Sequence, residues 1–72
     1  MKEFNVYYVE EHHLVMADNY VTELLVCRIL ARNQASALRK ANRELWNKGY
    51  RLGVRDTGRD NYVVGKVRVE EI

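Results

Sequence analysis

The stretch Asn33–Gly49, NQASALRKANRELWNKG, is the only long helix signal in the chain. Asn33 is a typical N-cap, because its side-chain oxygen accepts a hydrogen bond from a backbone amide of the first turn. Gly49 suits the left-handed conformation that commonly ends a helix. Lys48 places a positive charge near the negative end of the helix dipole. The sequence therefore predicts a helix bounded by Asn33 and Gly49.

The apolar positions of this helix fall on one narrow face. They recur at steps of four, three and four residues, with one alanine beside them: Gln34, Leu38, Ala41, Leu45 and Ala37. Trp46 lies at the border of the face, about 100° from its centre by helical geometry. A helix with one narrow apolar face needs a flat apolar surface to cover, so the rest of the chain is predicted to form a sheet.

Four other segments have the alternation and the β-branched and aromatic content of strands. They are Phe4–Val9, Tyr20–Leu30, Tyr50–Val54 and Tyr62–Val69. Residues 10–13 break the pattern, so residues 10–19 predict a long, mobile hairpin connection in which Leu14–Met16 either tuck in or extend a strand. Residues 56–61 predict a turn. The predicted fold class is α+β, with the order β-β-α-β-β. It is a four-stranded antiparallel sheet with one helix packed on one face, in a single domain over 1–72.

Strict alternation also predicts which side chains share a face of the sheet. In the second strand, Leu25, Cys27 and Ile29 share one face. In the last strand, Val63, Gly65, Val67 and Val69 share one face. The first strand has apolar side chains on both faces, as a central strand does. A second possibility is that it lies at a sheet edge, with free backbone groups for pairing. A single helix covers one face, so the other face is open to solvent or to a partner.

The composition excludes several classes of protein. Among 72 residues there are twelve Lys and Arg, ten Asp and Glu, and one cysteine, so no internal disulfide forms. No apolar run reaches the roughly 20 residues that cross a bilayer, and no secretion signal opens the chain. We therefore expect a cytoplasmic protein with no membrane contact, and Cys27 as a buried core thiol.

The charges are unevenly distributed, although the net charge is only +2. Lys2 is the only basic residue among residues 1–27, whereas residues 28–68 contain the other eleven. Two interpretations remain open with equal weight: an ordinary solvated surface, and a polar binding face.

The residues that bear chemistry do not form an enzyme or metal signature. His12 and His13 are adjacent and would point to opposite faces of a strand, so they cannot easily share one ion. The glycines are scattered and form no phosphate-binding loop. We expect no catalysis, no metal and no cofactor.

Arginines and aromatic residues are the remaining candidates for binding. Both residue types stack on bases, contact phosphates and dominate protein interfaces. Surface arginines that shield strand edges are the plainer explanation. Residues that combine exposure, aromatic area and charge are predicted to contact a partner: Phe4, Asn5, Tyr7, Arg51, Arg55 and Arg59.

The chain as a whole resembles a small phage-encoded transcription regulator, the RNA-polymerase-binding antitermination protein of certain lytic phages. The opening Met1–Val9 segment, MKEFNVYYV, the single central helix and the length carry this resemblance over essentially all 72 residues. It implies a non-enzymatic protein that binds host bacterial RNA polymerase, and we expect this chain to be a monomer. Such a protein inhibits host transcription initiation and promotes antitermination at intrinsic terminators, with nucleic acid nearby in the complex. The alternatives are a small nucleic-acid-binding module and an inhibitor of another bacterial protein complex.

Overall fold

The computed structural model describes residues 1–72 and contains one sheet and one helix. The elements are β1 (Lys2–His13), β2 (Tyr20–Ala31), α1 (Gln34–Asn47), β3 (Gly53–Gly58) and β4 (Asn61–Glu71). Neighbouring strands are antiparallel, and their order in the sheet is β2-β1-β4-β3. Helix α1 packs on one face of the sheet. The predicted four-stranded α+β fold with the order β-β-α-β-β is therefore confirmed.

Both predicted ends of the helix are confirmed. The Asn33 side-chain oxygen accepts a hydrogen bond of 2.9 Å from the Ser36 amide. Gly49 has φ 88°, in the left-handed region. Its amide donates to the Trp46 carbonyl at 3.1 Å, and the Tyr50 amide donates to the Leu45 carbonyl at 3.0 Å. This bonding pattern is a Schellman motif, which satisfies the last carbonyls of the helix and turns the chain towards the sheet.

The core lies between α1 and the inner face of the sheet. Ala37, Ala41 and Leu45 of α1 are completely buried, and the two alanines let the helix approach the strands closely. Leu38 is half-buried beside them. The sheet contributes the remaining buried side chains of this cluster: Phe4, Val6, Tyr8, Ala31 and Val69. The predicted burial of the helix face is confirmed, except that Gln34 is exposed and donates to the Val69 carbonyl at 3.4 Å.

Strand β1 is central and twice as long as predicted. It pairs with β2 and β4 along almost its whole length, including Glu10 to His13, so the expected break at these residues is wrong. Partners on both sides satisfy their backbone groups, which outweighs the low strand propensity of glutamate. The connection to β2 shrinks to residues 14–19, where the Leu14 amide donates to the Asn19 side chain at 2.8 Å. Of the two positions left open for the N-terminal strand, the central one is confirmed and the sheet edge is wrong.

A β-bulge in β2 changes the predicted alternation. Val6 is paired with Cys27 and Tyr7 with Leu25, so Val26 is an extra residue in β2. After this insertion the two halves of the strand are out of phase, because a bulge shifts the side-chain parity by one. Cys27 and Ile29 pack towards the helix as predicted, whereas Leu25 pairs with Tyr7 and shares its face, away from the helix.

The second hairpin begins and turns later than predicted. Tyr50, Arg51 and Leu52 form a connecting segment outside the sheet, and β3 starts at Gly53. The strand continues to Gly58, so the turn contains only Arg59 and Asp60, both with positive φ (55° and 66°). Two consecutive residues of this kind are typical of a type I′ hairpin turn.

The connecting segment passes directly over Gly65 of β4. A Cβ atom at Gly65 would clash with the Arg51 carbonyl oxygen and would lie 2.8 Å from the Tyr8 hydroxyl oxygen. The Tyr8 hydroxyl donates to the same Arg51 carbonyl at 2.6 Å. Only glycine therefore leaves room for the chain to cross from α1 to β3 at this height.

The sheet is much longer than the helix that covers it. The 14 residues of α1 span roughly 21 Å by helical rise, and the 12 residues of β1 span roughly 40 Å. The molecule is accordingly elongated, with extents of 45 × 21 × 17 Å. The end of the sheet that contains His12, Tyr20 and the β3–β4 turn extends beyond the helix.

Replacing Leu45 by alanine should lower the free energy of unfolding by roughly 2–5 kcal/mol, because it leaves a cavity in the centre of the core. Urea denaturation measures this loss. Leu30→Ala is the matched control, since Leu30 is 54 % exposed and should lose far less. Equal losses in the two variants would show that the core is not centred on Leu45.

Replacing Gly65 by alanine should destabilise the fold by about 1–3 kcal/mol or more, because the new methyl group collides with the Arg51 backbone. The neighbouring Val64→Ala variant, on the other face of β4, introduces no clash and is the control. A Gly65→Ala protein as stable as the parent by urea titration would mean that the connecting segment does not cross there.

Candidate partner-binding site

A shallow groove lies where the chain leaves the helix. It has a volume of about 430 Å³ and is lined by five residues: Trp46, Gly49, Tyr50, Arg51 and Leu52. These residues are called the aromatic groove below. They are consecutive in sequence apart from Asn47 and Lys48, so the end of α1 and the connecting segment form the whole site.

The Schellman motif places the aromatic residues of the groove. It ends α1 at a point where Tyr50 folds back onto the sheet and packs against the Tyr8 ring, with the centroids 4.8 Å apart. Leu52 packs against the core from the same segment. Trp46 precedes the turn and stays 71 % exposed. The groove therefore has a fixed floor, held by the core, and a protruding indole at its rim.

The Tyr8 hydroxyl fixes the connecting segment from below. The hydroxyl donates a short hydrogen bond of 2.6 Å to the Arg51 carbonyl oxygen. A carboxylate oxygen of Glu10 lies 3.3 Å from the Tyr8 hydroxyl oxygen. Burial raises the pKa of Tyr8, and the negative charge of Glu10 raises it further. Tyr8 consequently remains a protonated donor at neutral pH.

The Arg51 side chain is exposed and makes no ion pair within the chain. Its backbone is fixed by Tyr8, while its guanidinium group is free to contact another molecule. An arginine and a tryptophan side by side at a preformed groove are the two residue types most enriched in the energetic centres of protein interfaces. The groove thus presents the apolar surface of Trp46 and the guanidinium group of Arg51, which can donate two hydrogen bonds to one carboxylate.

The face of the sheet away from the helix has a different character, because several of its charged side chains are paired with one another. Arg68 lies over the Tyr7 ring at 4.1 Å and donates to both oxygens of Glu23, at 2.6 and 2.9 Å. Lys66 donates to Glu11 at 2.8 Å. These contacts cross strands β2, β1 and β4, so the face is a ladder of cross-strand pairs.

One polar atom on this face lacks a partner. The side-chain oxygen of Asn5 is inaccessible to solvent and accepts no hydrogen bond. Asn5 lies between Arg28 of β2 and Glu70 of β4 in the sheet register. An unsatisfied buried acceptor costs roughly 1–3 kcal/mol, so this position weakens the sheet slightly.

The residues predicted to contact a partner do not form one surface. Phe4 is 1 % exposed and lies in the core under the helix, so the exposure expected of it is wrong. Asn5 and Tyr7 lie on the opposite face from Phe4. Among the predicted arginines, only Arg51 belongs to the aromatic groove.

The other two predicted arginines lie elsewhere along the second hairpin. Arg55 of β3 donates to the Glu10 carboxylate at 3.2 Å, so its charge is already paired. Arg59 is exposed in the β3–β4 turn, next to a small depression lined by Leu14, Met16, Ala17 and Asn61. The length of β3 separates Arg59 from Arg51.

The two histidines point to opposite faces, as predicted. His12 stacks on Tyr20 with ring centroids 4.2 Å apart, and His13 stacks on Tyr62 at 4.5 Å. In the sheet register, His12 lies opposite Val63 and His13 opposite Tyr62. Each imidazole is thus occupied in a cross-strand aromatic pair.

Cys27 is half-buried on the helix side of the sheet and contacts the core. Burial raises the pKa of its thiol, and the nearby Glu44 carboxylate adds to this rise. A thiol with a raised pKa is a weak nucleophile at neutral pH, which agrees with a packing role.

The sequence prediction omitted Trp46, Tyr50 and Leu52 from the site. The position of Trp46 at the border of the apolar face was a signal for its exposure. The position of Tyr50 immediately after Gly49 was a second signal, since the residue after the capping glycine often packs back on the helix end. Leu52 had no comparable signal.

Comparisons with family models, curated proteins and solved structures find no match for this chain. The helix of the structure lacks the length and the apolar content needed to cross a membrane.

The ion pairs on the open face predict a stability loss in acid. Hydrogen bonds from Arg68 lower the pKa of Glu23, and hydrogen bonds from Lys66 lower the pKa of Glu11, both from an ordinary value of 4.5. A carboxylate whose pKa is lower in the folded state stabilises the fold above the unfolded-state pKa. This contribution disappears as the pH falls below about 4.5 through the folded-state values.

Urea denaturation between pH 7 and pH 3 should therefore show a smaller acid-induced loss in Glu23→Gln than in the parent protein. Glu3→Gln is the control, because Glu3 makes no ion pair. Identical pH dependences for the parent and Glu23→Gln would show that Glu23 does not contribute to the loss of stability in acid.

Proposed function

We propose that this protein is a phage-encoded, non-enzymatic regulator that docks on host bacterial RNA polymerase through the aromatic groove. In this role it inhibits transcription initiation and promotes antitermination at intrinsic terminators. The class of partner comes from the resemblance of the chain to RNA-polymerase-binding antitermination proteins of lytic phages. The observation that carries the docking proposal is the exposed Trp46 beside the unpaired Arg51 at a preformed groove.

The groove has the composition of a protein-binding site. Trp46 supplies a large apolar surface with few rotatable bonds, so little conformational entropy is lost on binding. Arg51 supplies a planar donor that matches a carboxylate bidentately, and its backbone is already fixed by Tyr8. A preorganised site of this kind keeps more of its contact energy as affinity.

The charge arrangement favours a protein partner over free nucleic acid. Arg55, Lys66 and Arg68 on the sheet are each paired with a carboxylate of the same chain. Paired cations release few counterions from a phosphate backbone, and a net charge of +2 gives little long-range attraction. We propose that any nucleic acid contact arises next to the polymerase rather than on the isolated protein.

The regulator would act by occupying a surface rather than by chemistry. An inserted indole and an arginine–carboxylate pair would hold the domain on polymerase, where its bulk and its charge alter promoter use and termination. Since the contact energy is concentrated in two neighbouring side chains, single substitutions should separate binding from folding.

Binding to purified bacterial RNA polymerase should weaken by roughly tenfold or more in Trp46→Ala and in Arg51→Glu. Biolayer interferometry with immobilised protein measures the affinity, and far-ultraviolet circular dichroism checks the fold. Arg32→Glu is the matched charge-reversal control, because Arg32 is exposed in the β2–α1 connection, outside the groove.

Parent affinity in both groove variants would refute the docking site. No binding of the parent to polymerase, together with nanomolar binding to DNA or RNA in a gel shift, would favour the nucleic-acid-binding alternative. A steep decline of that binding with salt would identify phosphate contacts.

A further inference from the structure

The outer edge of β2 is the longest unpaired backbone in the molecule. The strand has 12 residues, lies at one end of the sheet order and has no proline. Its exposed large apolar side chains are Tyr20, Val21, Leu24, Leu25 and Leu30. An unpaired edge of this length with exposed apolar side chains is a template for pairing with another strand, and its bulge and its two charged residues, Glu23 and Arg28, decide which partner strand fits.

The sheet register shows which backbone groups point outwards from β2. The Glu3 carbonyl accepts a hydrogen bond of 2.9 Å from the Ile72 amide, so the Glu3 backbone faces β4. The residue opposite Glu3 is Leu30, and its carbonyl accepts from Lys40 at 2.6 Å instead of bonding to β1. Outward-pointing and inward-pointing backbone groups alternate along an antiparallel strand, so the backbone N–H and C=O of Arg28 also point outwards.

On the other side of the bulge at Val26, the residues whose backbone groups point outwards have odd instead of even numbers. Tyr7 faces β4 as Glu3 does, and its partner in β2 is Leu25. Val21 and Glu23 follow at steps of two. The outward backbone groups of β2 therefore belong to five residues: Val21, Glu23, Leu25, Arg28 and Leu30.

This outward set is complementary to itself when the strand is reversed. If Glu23 is opposite Arg28 of a second copy, then Val21 is opposite Leu30 of that copy. Each such pair contains two outward residues, so each exchanges two backbone hydrogen bonds. Each also matches in side-chain chemistry, an acid with a base and an apolar residue with an apolar residue.

We propose that two copies of this chain pair β2 with β2 antiparallel about a two-fold axis. Glu23 of each copy then lies opposite Arg28 of the other, and the two sheets merge into one of eight strands. A two-fold axis requires a self-complementary surface, which the outward set provides. The proposal departs from the monomer expected from the sequence, and it does not depend on polymerase binding.

The bulge makes this register possible. In a regular strand, two residues an odd number of positions apart have their side chains on opposite faces. They therefore cannot lie opposite each other when two copies of the strand pair in one sheet. Val26 shifts the parity midway along β2, so Glu23 and Arg28 point to the same face although they are five residues apart. Arg28 is exposed and makes no ion pair in the single chain.

The dimer would also cover apolar surface on the helix side. In this register Leu24 lies opposite Cys27 of the second copy. Helix α1 packs over the end of β2 that contains Cys27, Ile29 and Ala31. The helix of each copy would therefore lie beside Tyr20 and Leu24 of the other, which are 49 % and 53 % exposed in the single chain.

The contacts already present at this edge are compatible with the pairing. A carbonyl oxygen has two lone pairs, so Leu30 accepts from a second amide while Lys40 stays in place. Glu23 has further lone pairs available besides those used by Arg68. Arg28 of the second copy would thus extend the existing pair of Arg68 and Glu23.

A register-specific disulfide tests the proposal. The Leu24→Cys variant places a second thiol opposite Cys27 of the other copy, at a pair without backbone hydrogen bonds, where the spacing suits a disulfide. Within one chain the two cysteines lie about 10 Å apart along the strand, too far to bond. A mild thiol oxidant at pH 8 should convert most of this variant into a covalent dimer on non-reducing gels.

Thr22→Cys is the matched control. It also carries two thiols, but residue 22 lies opposite Ile29 rather than Cys27, so its covalent dimer should be absent or minor. Equal crosslinking of the two variants, or none in Leu24→Cys, would overturn the proposed register.

Sedimentation equilibrium of the unmodified protein provides the second measurement. The parent should reach twice the mass of the chain at high concentration, and Arg28→Glu should lose this association, because it places two carboxylates opposite each other. A parent protein that stays monomeric at several hundred micromolar would overturn the proposal and leave the edge to a strand of a different protein.

Discussion

The structure depends on the hydrogen bond from the Tyr8 hydroxyl to the Arg51 carbonyl, made above Gly65. This bond joins the central strand to the segment that leaves the helix, across 43 residues of sequence. In the same segment, Tyr50 and Leu52 pack against the core from either side of Arg51. The absence of a side chain at Gly65 is a condition for this contact, so three positions far apart in sequence must fit together.

This contact fixes the backbone beneath the aromatic groove, which differs from the face of the sheet away from the helix. On the face away from the helix, Lys66 is paired with Glu11 and Arg68 with Glu23, and exposed pairs of this kind contribute little to stability or to attraction over distance. At the helix end, Trp46 and Arg51 remain free although the backbone beneath them is fixed. The aromatic groove and the outer edge of β2 are therefore the two surfaces for which we propose a partner.

The sequence predicted what depends on neighbouring residues and missed what depends on distant ones. The caps at Asn33 and Gly49, the buried helix face and the order of the elements follow from local patterns. The extension of β1 through His13 follows from partners on both sides, which no local propensity reveals. The burial of Phe4 and the pairing of Arg55 with Glu10 also arise only in the assembled sheet. The groove was missed for the same reason, because the floor beneath Arg51 comes from β1.

Amide hydrogen exchange of a Tyr8→Phe variant, followed by nuclear magnetic resonance, tests most directly whether this bond holds the connecting segment. Phenylalanine keeps the ring packing and removes only the hydroxyl donor, so the Arg51 carbonyl loses its partner. We expect faster exchange for the amides of residues 50–53, with the pairing of β1 with β2 and β4 unchanged. Unaltered exchange in residues 50–53, or an equal increase throughout the sheet, would contradict it.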